Sequence, residues 1–198
     1  MTQLIAQKKE NKRRALLDSA YKLFSEKGVS QTSIAEICKG AGIAKGTFYL
    51  YFKDKEDILR ALTAKISSTI LDRAYARIKD KSADLIASAN DMADYLMDLF
   101  NNEPDLVKIL KKDFVWPISE VDFITSDNPT MKAIREKIIS FSKKTGISEH
   151  QILVRLYSLL SMICSVSYSA IIDHFPGNLD SMRSEIHAMI SGAFGQTA

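Results

Sequence analysis

The chain has 198 residues, 46% of them hydrophobic and 26% charged, which is typical of a soluble globular protein and excludes a disordered or collagen-like one. The net charge of +3 is uneven: residues 1–60 hold 12 Lys/Arg against 7 Asp/Glu, and residues 61–198 hold 15 against 17. The basic N-terminal part indicates either an anionic partner or a solvated charged face. Cys38 and Cys164 form no CxxC pattern and the N-terminus lacks the apolar core of a signal peptide, so we expect a cytoplasmic protein.

One uncharged stretch runs from Leu156 to Ile172, and its 17 positions approach the ~17–25 residues of a membrane-spanning helix. The stretch also contains five serines and two tyrosines, and Arg155 and Asp173 flank it directly. We interpret it as a helix that is buried or packed on a partner, and we expect no membrane association.

The first predicted element is an amphipathic helix over residues 8–27, followed by a left-handed stop at Gly28. Its apolar residues recur at three- and four-residue spacing: Leu16, Leu17, Ala20, Leu23 and Phe24. The segment KKENKRR that opens it holds five cations in seven residues, which is unfavourable at a helix N-terminus. This indicates either compensation by an external anion or a frayed, solvated arm.

The next segment, TSIAEICKGAGIAKGTFYLYFKDK at residues 32–55, has the layout of a helix, a glycine turn and a second short helix. Ser33 and Glu36 have the spacing of a capping box at the start of the first helix. Gly42 suits a turn residue with positive φ.

The second short helix is predicted over Lys45–Phe52, with Phe48 and Phe52 on its buried side. The rest of it is small, polar and aromatic, which fits a helix that reads base edges in a major groove better than one that fills a core. Asp54 then caps a long helix predicted from Lys55 to about residue 79.

Five more helices are predicted in the remainder, which shows no alternating strand pattern and no internal repeat. Ser148 and Gln151 form a second capping box before one of them. The predicted ranges are 82–101, 105–115, 120–143 with a break near 127, 148–174 and 179–194. We therefore predict an all-α protein of about nine helices.

Residues 8–60 resemble the DNA-binding domain of the tetracycline-repressor (TetR) family of transcription regulators. The matching residues are Ala20, Leu23 and Phe24, Gly28, Thr32, Ile37, Ala41-Gly42-Ile43, Gly46-Thr47-Phe48-Tyr49, Tyr51-Phe52 and Lys55-Glu56. The resemblance implies a three-helix helix-turn-helix domain over residues 1–55. It implies a helical effector-binding and dimerisation domain over residues 56–198.

The resemblance assigns contacts with double-stranded DNA to residues of the helix-turn-helix. Lys45, Gly46 and Thr47 open the recognition helix and would approach base edges, and Ala44 would touch a thymine methyl group. Tyr49 and Tyr51 would contact phosphates through their hydroxyls. Lys55 and the amides around Thr32 and Ser33 would hold further phosphates.

In the second domain the resemblance implies a homodimer, which would place two recognition helices in successive major grooves of a near-palindromic operator. The residues predicted at the dimer interface are Leu156, Leu160, Ile163, Ile186, Met189 and Ile190. A small apolar or aromatic effector is expected to release the protein from DNA by binding the wrongly spaced state more tightly. The aromatic candidates for its pocket are Tyr95, Phe114, Trp116 and Tyr157.

The leading hypothesis is thus a ligand-responsive repressor. The alternative is a helix-turn-helix protein that a protein partner controls, which a closed, apolar-filled second domain would favour. An enzyme is not expected, because the sequence has no nucleophile elbow and no phosphate-cradling glycine loop. No cofactor and no metal are predicted, because His150, His174 and His187 show no ligand spacing.

Overall fold

The computed structural model describes residues 2–78, 84–110 and 126–195, and these residues form nine α-helices and no β-strand. The all-helical fold predicted above is confirmed. The helices are α1 Thr2–Gln31, α2 Ile34–Ala41, α3 Lys45–Phe48, α4 Lys55–Ile78, α5 Leu85–Asn102, α6 Pro104–Leu110, α7 Pro129–Thr145, α8 Glu149–Tyr168 and α9 Arg183–Phe194. A π-helical turn at Ser169–Asp173 and a 3₁₀ turn at Leu179–Met182 lie between α8 and α9.

Two differences from the predicted helices concern α1. The helix begins at Thr2 rather than near residue 8, so the basic segment KKENKRR lies inside it. Gly28 has a φ of 80° and a ψ of 162°, which breaks the helical geometry as predicted, but helical bonding continues beyond it to Gln31. The predicted segments 111–115 and 120–125 lie outside the described residues, and so do Phe114 and Trp116.

The buried side chains fall into two clusters, of which the first belongs to the N-terminal helices. It contains Leu16, Leu17, Ala20, Phe24, Ile37, Cys38, Phe48, Phe52, Ile58, Leu59, Leu62 and Ile109. The first turns of α4 and one residue of α6 therefore complete the N-terminal core. This core continues past the predicted domain boundary at residue 55, because α1 to α3 alone leave the inner side of α1 uncovered.

The second cluster lies among α4 to α9, and its largest fully buried side chains include Leu96, Met97, Phe100 and Phe194. Arg183 at the start of α9 fastens this helix to α5. Its guanidinium donates to Asp94 Oδ1 at 2.7 Å and to Asp98 Oδ1 at 2.8 Å. These bonds raise the pKa of Arg183 above its usual value, with the bond to Asp94 contributing most, so the charge on this clamp is permanent.

Candidate nucleic-acid interface

The start of α2 is fixed by a capping box, as predicted. Ser33 Oγ accepts from the amide of Glu36 at 3.3 Å, and the amide of Ser33 donates to Glu36 Oε2 at 2.9 Å. Glu36 also pairs with Lys27 near the end of α1. The Lys27 ammonium, and then the bonds from Ser33, lower the pKa of Glu36 to about 2. The cap therefore ties α2 to α1 as well as to its own backbone.

Two glycines set the turn that follows α2. Gly42 has a φ of 65° and a ψ of 32°, a left-handed conformation that side chains with a Cβ disfavour. Gly40 faces α1 so closely that a Cβ there would lie 2.4 Å from Ser19 Oγ. Ser19 Oγ in turn donates to the carbonyl oxygen of Ile37 at 2.9 Å. The direction in which α3 leaves α2 is thus determined by backbone geometry.

The recognition helix α3 is shorter than predicted, since regular α-helical bonding covers Lys45–Phe48 rather than Lys45–Phe52. The chain then tightens: the amide of Tyr51 donates to the carbonyl of Phe48 at 2.9 Å, three residues back. Phe48 and Phe52 anchor the segment from inside, with 0% and 3% of their surfaces exposed and ring centroids 5.8 Å apart. Burying both rings on one side turns the intervening residues outward.

The outward side of α3 carries most of the predicted base-contacting residues. Ala44, Lys45 and Gly46 are exposed, and Tyr49 is 53% exposed. A Cβ placed on Gly46 would meet no atom within 4 Å, so this glycine is not needed for packing. Thr47, like Tyr51, is half-buried.

Leu50 is a surface residue that the sequence analysis did not single out. It is 75% exposed and lies beside Tyr49 on the same turn. A signal for it was available, because a residue two positions from each of two buried phenylalanines points away from the core of a helix. An exposed leucine on a polar surface offers an apolar contact, such as the thymine methyl group presents in a major groove.

Lys55, which was predicted to contact phosphate, is engaged within the chain. Its ammonium donates to the carbonyl oxygens of Val29 at 2.7 Å, Thr32 at 3.0 Å and Ser30 at 3.4 Å. An ammonium has three donors, and all three serve the end of α1. The last carbonyls of α1 have no helical partner, and they therefore attract the nearest cation, which is the Lys55 ammonium.

The predicted anion site around Thr32 and Ser33 is also partly occupied by contacts within the chain. Thr32 is 2% exposed, its hydroxyl donates to the carbonyl of Gly28 at 2.8 Å, and its amide donates to Val29. The amide of Ser33 is occupied by Glu36. Both residues therefore close helix ends within the chain, and only the amides after them, at the start of α2, remain for an external anion.

The basic segment of α1 lies next to this surface. Arg13 is half-buried, and its guanidinium carbon sits 5.5 Å from the centre of the Phe52 ring, a cation–π contact. Lys8, Lys9, Lys12 and Arg14 are exposed along the same helix. Because the segment is part of α1, these cations project from a regular helix and not from a frayed arm.

The second cluster borders a partly open apolar cavity of about 110 Å³. It is lined by α4, α5, α7 and α8 with Ile190 of α9, and its walls include Ile70, Leu71, Met92 and Leu160. Neither predicted aromatic in the described part of the chain lines it. Tyr95 carries the Arg77 guanidinium over its ring at 5.6 Å, and Tyr157 is 51% exposed.

The predicted interface residues on α8 and α9 divide between the inside and the outside. Ile163, Ile186 and Ile190 are at most 3% exposed and belong to the chain's own core, so a second chain cannot reach them. Leu156 and Leu160 are half-buried and line the cavity, whereas Met189 is 53% exposed. Both sides of these helices are apolar or small, and the sequence pattern does not indicate which side is inward.

A set of exposed or half-buried residues on α8 and α9 forms what we call the outer face. On α8 they recur at helical spacing, and α9 packs beside this helix. The face consists of Val154, Tyr157, Ser158, the half-buried Ser161 and Ser165 of α8 and Ala188, Met189 and Gly192 of α9; the charged Glu149 and Glu185 are exposed on the same two helices. Within the described ranges, Glu149–Asp173 is the one helix long and apolar enough to cross a membrane, and 22% of its most apolar window is buried.

Comparisons with known proteins match the helix-turn-helix strongly and the remainder by fold. The family profile "Bacterial regulatory proteins, tetR family" matches residues 16–62. The fatty acid metabolism regulator protein of Bacillus subtilis is 40% identical over 67 residues, which are 34% of each chain. The chain thus spans about a third of the length of the curated relatives that it matches.

Solved structures extend the similarity over nearly the whole chain. A TetR-family regulator from Streptomyces coelicolor matches with a TM-score of 0.67 at 13% identity, covering 94% of this chain and 99% of its own. FadR from Bacillus subtilis, solved in complex with stearoyl-CoA, matches with a TM-score of 0.57 at 18% identity, covering 91% and 98%. At these identities the likeness concerns the fold. The printed names of these relatives describe transcription regulators. Residues 16–62 of this chain thus match the TetR family of bacterial regulatory proteins in sequence, and the described chain shares the fold of such regulators.

Proposed function

We propose that the protein is a homodimeric transcription regulator that binds a near-palindromic operator and is released by a small apolar effector. The observation that carries the DNA-binding part is the surface of α3. Lys45, Gly46 and Tyr49 are exposed there, and none of the hydrogen bonds among the described residues engages the Lys45 ammonium or the Tyr49 hydroxyl. Two buried phenylalanines hold these groups outward.

The contacts expected on DNA divide into two kinds. The Lys45 ammonium would donate to guanine O6 or N7, which reads sequence. The Tyr49 hydroxyl and the cations of α1 would contact phosphates, which fix position without reading sequence. Lys55 has no part in this scheme, because its donors serve α1.

The outer face supports the homodimer. Its α8 residues carry no charge, and an exposed valine and tyrosine among serines suit a closely packed helix–helix interface better than contact with water. Two copies related by a two-fold axis would present two α3 helices to half-sites about 34–36 Å apart.

The cavity supports a small-molecule effector over control by a protein partner. Five residues of α4 line it, over about three turns from Ser67 to Ile78, and the opposite end of α4 completes the N-terminal core with Ile58, Leu59 and Leu62. A ligand that binds better when α4 is displaced would therefore shift the spacing of the two α3 helices. The similarity to a regulator solved with stearoyl-CoA supports an effector with a hydrocarbon body.

Operator binding is tested by selecting fragments of the source genome that the purified protein retains, then measuring their affinity by fluorescence anisotropy. We expect affinity to fall steeply with salt, because phosphate contacts release counterions. Gly46→Ala should fold normally, since its Cβ meets open space, yet should lose at least about tenfold in affinity because the backbone can no longer approach the groove. Gly177→Ala, in the loop before α9, is the matched control. The proposal would be contradicted if the protein retained no duplex, or if its retention of every duplex did not depend on salt.

The dimer is tested by light scattering coupled to size-exclusion chromatography. Tyr157→Glu places a charge on the outer face without touching the core, so the molar mass should fall from that of two chains to one. Lys143→Glu, on the exposed side of α7, should leave the mass unchanged. A wild-type protein that elutes as a monomer at micromolar concentration would contradict this part.

A further inference from the structure

One polar group in the cavity has no use within the described part of the protein. Ser67, on α4, lines the cavity and is 3% exposed, and its hydroxyl has no hydrogen-bond partner there. A buried hydroxyl without a partner destabilises the folded state, so such groups are rare unless a ligand or water completes them.

Neighbouring hydroxyls on α4 show that the arrangement at Ser67 is specific to that position. Thr63 Oγ1 donates to the carbonyl of Leu59 at 3.1 Å, and Thr69 Oγ1 donates to that of Lys65 at 2.9 Å. Such bonds to the carbonyl four residues back are the usual way in which a helix satisfies a serine or threonine. Ser67 has the same carbonyl position available and does not use it, and its hydroxyl therefore remains available to the cavity.

Two other buried polar atoms without partners in the described part, Asn90 Oδ1 and Ser167 Oγ, belong to residues that do not line the cavity. Of the fully buried polar atoms without a partner in the described part, Ser67 Oγ is thus the one whose residue lines the cavity. The rest of the nearby wall, including Ile70, Leu71 and Ile163, is hydrocarbon.

The cation of the cavity wall, Lys137, is already engaged. Lys137 Nζ donates to Ser88 Oγ at 3.0 Å. Its neighbour Glu136 acts on Tyr75, whose pKa is raised by burial and then by that carboxylate. Tyr75 lies eight residues beyond Ser67 on α4, a rise of about 12 Å. A carboxylate placed at Ser67 would therefore have to draw Lys137 from Ser88 or be buried without a counterion, which is unfavourable.

We propose that the cavity binds a compact, uncharged hydrocarbon that carries a single hydroxyl or carbonyl oxygen, and that this oxygen hydrogen-bonds to the Ser67 hydroxyl. The inference rests on the effector-binding part of the proposed function and specifies its ligand chemistry. A cavity of about 110 Å³ is close in size to the ~150 Å³ apolar cavity that holds benzene, which sets the scale of the part that is enclosed.

The test is isothermal titration calorimetry of the full-length protein, without DNA, against three probes of similar size: phenol, toluene and benzoate. Phenol should bind more tightly than toluene, and benzoate most weakly. Ser67→Ala should weaken phenol binding by roughly three- to tenfold, the value of one hydrogen bond, and leave toluene unchanged. Ser68→Ala, next to it on α4 and outside the cavity wall, is the matched control and should change neither.

Toluene binding also reports whether the Ser67→Ala cavity is intact, so a loss of phenol binding alone cannot come from misfolding. Equal losses for phenol and toluene, or no loss for phenol, would overturn the inference. Benzoate binding more tightly than phenol and disappearing in Lys137→Met would overturn it in favour of an anionic ligand, and no binding of any probe would also overturn it. Because DNA is absent, a chain that binds phenol through Ser67 yet retains no duplex would contradict only the regulator function.

Discussion

Two surfaces that expose large side chains, one on α3 and one on the outer face of α8 and α9, differ in chemistry. On α3 the exposed residues are Lys45, Tyr49 and Leu50, and the basic segment of α1 lies nearby. On the outer face Val154 and Tyr157 stand among serines with no charge between them. The first surface offers donors and cations, which suit a polyanion, and the second offers shape and apolar area, which suit a second protein chain.

The two surfaces also differ in what holds them in place. The α3 surface depends on signals within about 20 residues: a capping box, a left-handed glycine and two phenylalanines. The outer face depends on which side of two apolar helices meets the core, and this is decided by α5 and α7 packing from inside. Local signals therefore suffice for one surface, whereas the other requires the whole bundle.

The largest expected effect is the loss of the internal support of α3. Phe48→Ala removes a fully buried ring that contacts Phe52 and should lower the free energy of unfolding by about 3–5 kcal/mol. Leu50→Ala, two residues away and 75% exposed, should change it by less than about 0.5 kcal/mol. Urea unfolding followed by circular dichroism measures both. Similar losses for the two variants would show that α3 is not anchored by its phenylalanines.

The next effect concerns sequence reading by the α3 surface. Lys45→Ala should relax the base preference at one operator position and cost about 1–3 kcal/mol there, because a bidentate or paired contact to guanine is lost. A binding-selection assay with randomised duplexes measures the change. Lys53→Ala, an exposed lysine beyond the turn, is the control. If the base preference did not change after Lys45→Ala, the Lys45 side chain would not contact a base that it distinguishes.

The capping box tests whether local signals hold the helix-turn-helix. Ser33→Ala should cost about 1 kcal/mol of unfolding free energy, since the Ser33 hydroxyl accepts from the amide of Glu36. Ser30→Ala, exposed three residues earlier, should have little effect. If Ser33→Ala and Ser30→Ala changed the unfolding free energy equally in urea at pH 7, α2 would be stabilised by its packing and not by the cap.

The same cap has a pH dependence. The folded pKa of Glu36 is lowered to about 2 from an ordinary 4.5, so its contribution to stability is present above pH 4.5 and is lost as pH falls toward 2. Glu36→Gln should reduce the acid sensitivity of unfolding between these values, while leaving a smaller stability at pH 7. If the unfolding free energies of the wild type and of Glu36→Gln fell equally from pH 5 to pH 3, the lowered pKa of Glu36 would not be the cause of the acid sensitivity.

The smallest effect expected is at Tyr49. Tyr49→Phe removes one phosphate hydrogen bond and should weaken all duplexes about equally, by about 0.5–1.5 kcal/mol. Anisotropy titrations on the selected operator and on unrelated duplexes provide the comparison. A loss confined to the selected operator would turn Tyr49 into a residue that reads sequence.

Most of the helix-turn-helix was predictable because its determinants are close in sequence. The capping boxes at Ser33 and Ser148, the left-handed Gly42 and the buried Phe48 and Phe52 all occur as predicted. The carbonyl partners of Lys55 could not be predicted, because they lie 23 to 26 residues earlier, at and just after the end of α1, and meet the lysine only in the fold. A lysine near a helix-turn-helix has the same appearance in sequence whether it contacts phosphate or carbonyl oxygen.

The sequence by itself determined that the chain is all-helical, where α2, α3 and α4 begin, and that its first 60 residues are basic, since helix propensity, caps and charge are local properties. The tertiary structure alone decided which sides of α8 and α9 are buried, that Lys55 faces inward, and that Ser67 borders a cavity. Each of these depends on contacts between helices distant in sequence, and an apolar helix side has the same pattern whether it meets the core, a ligand or a second chain.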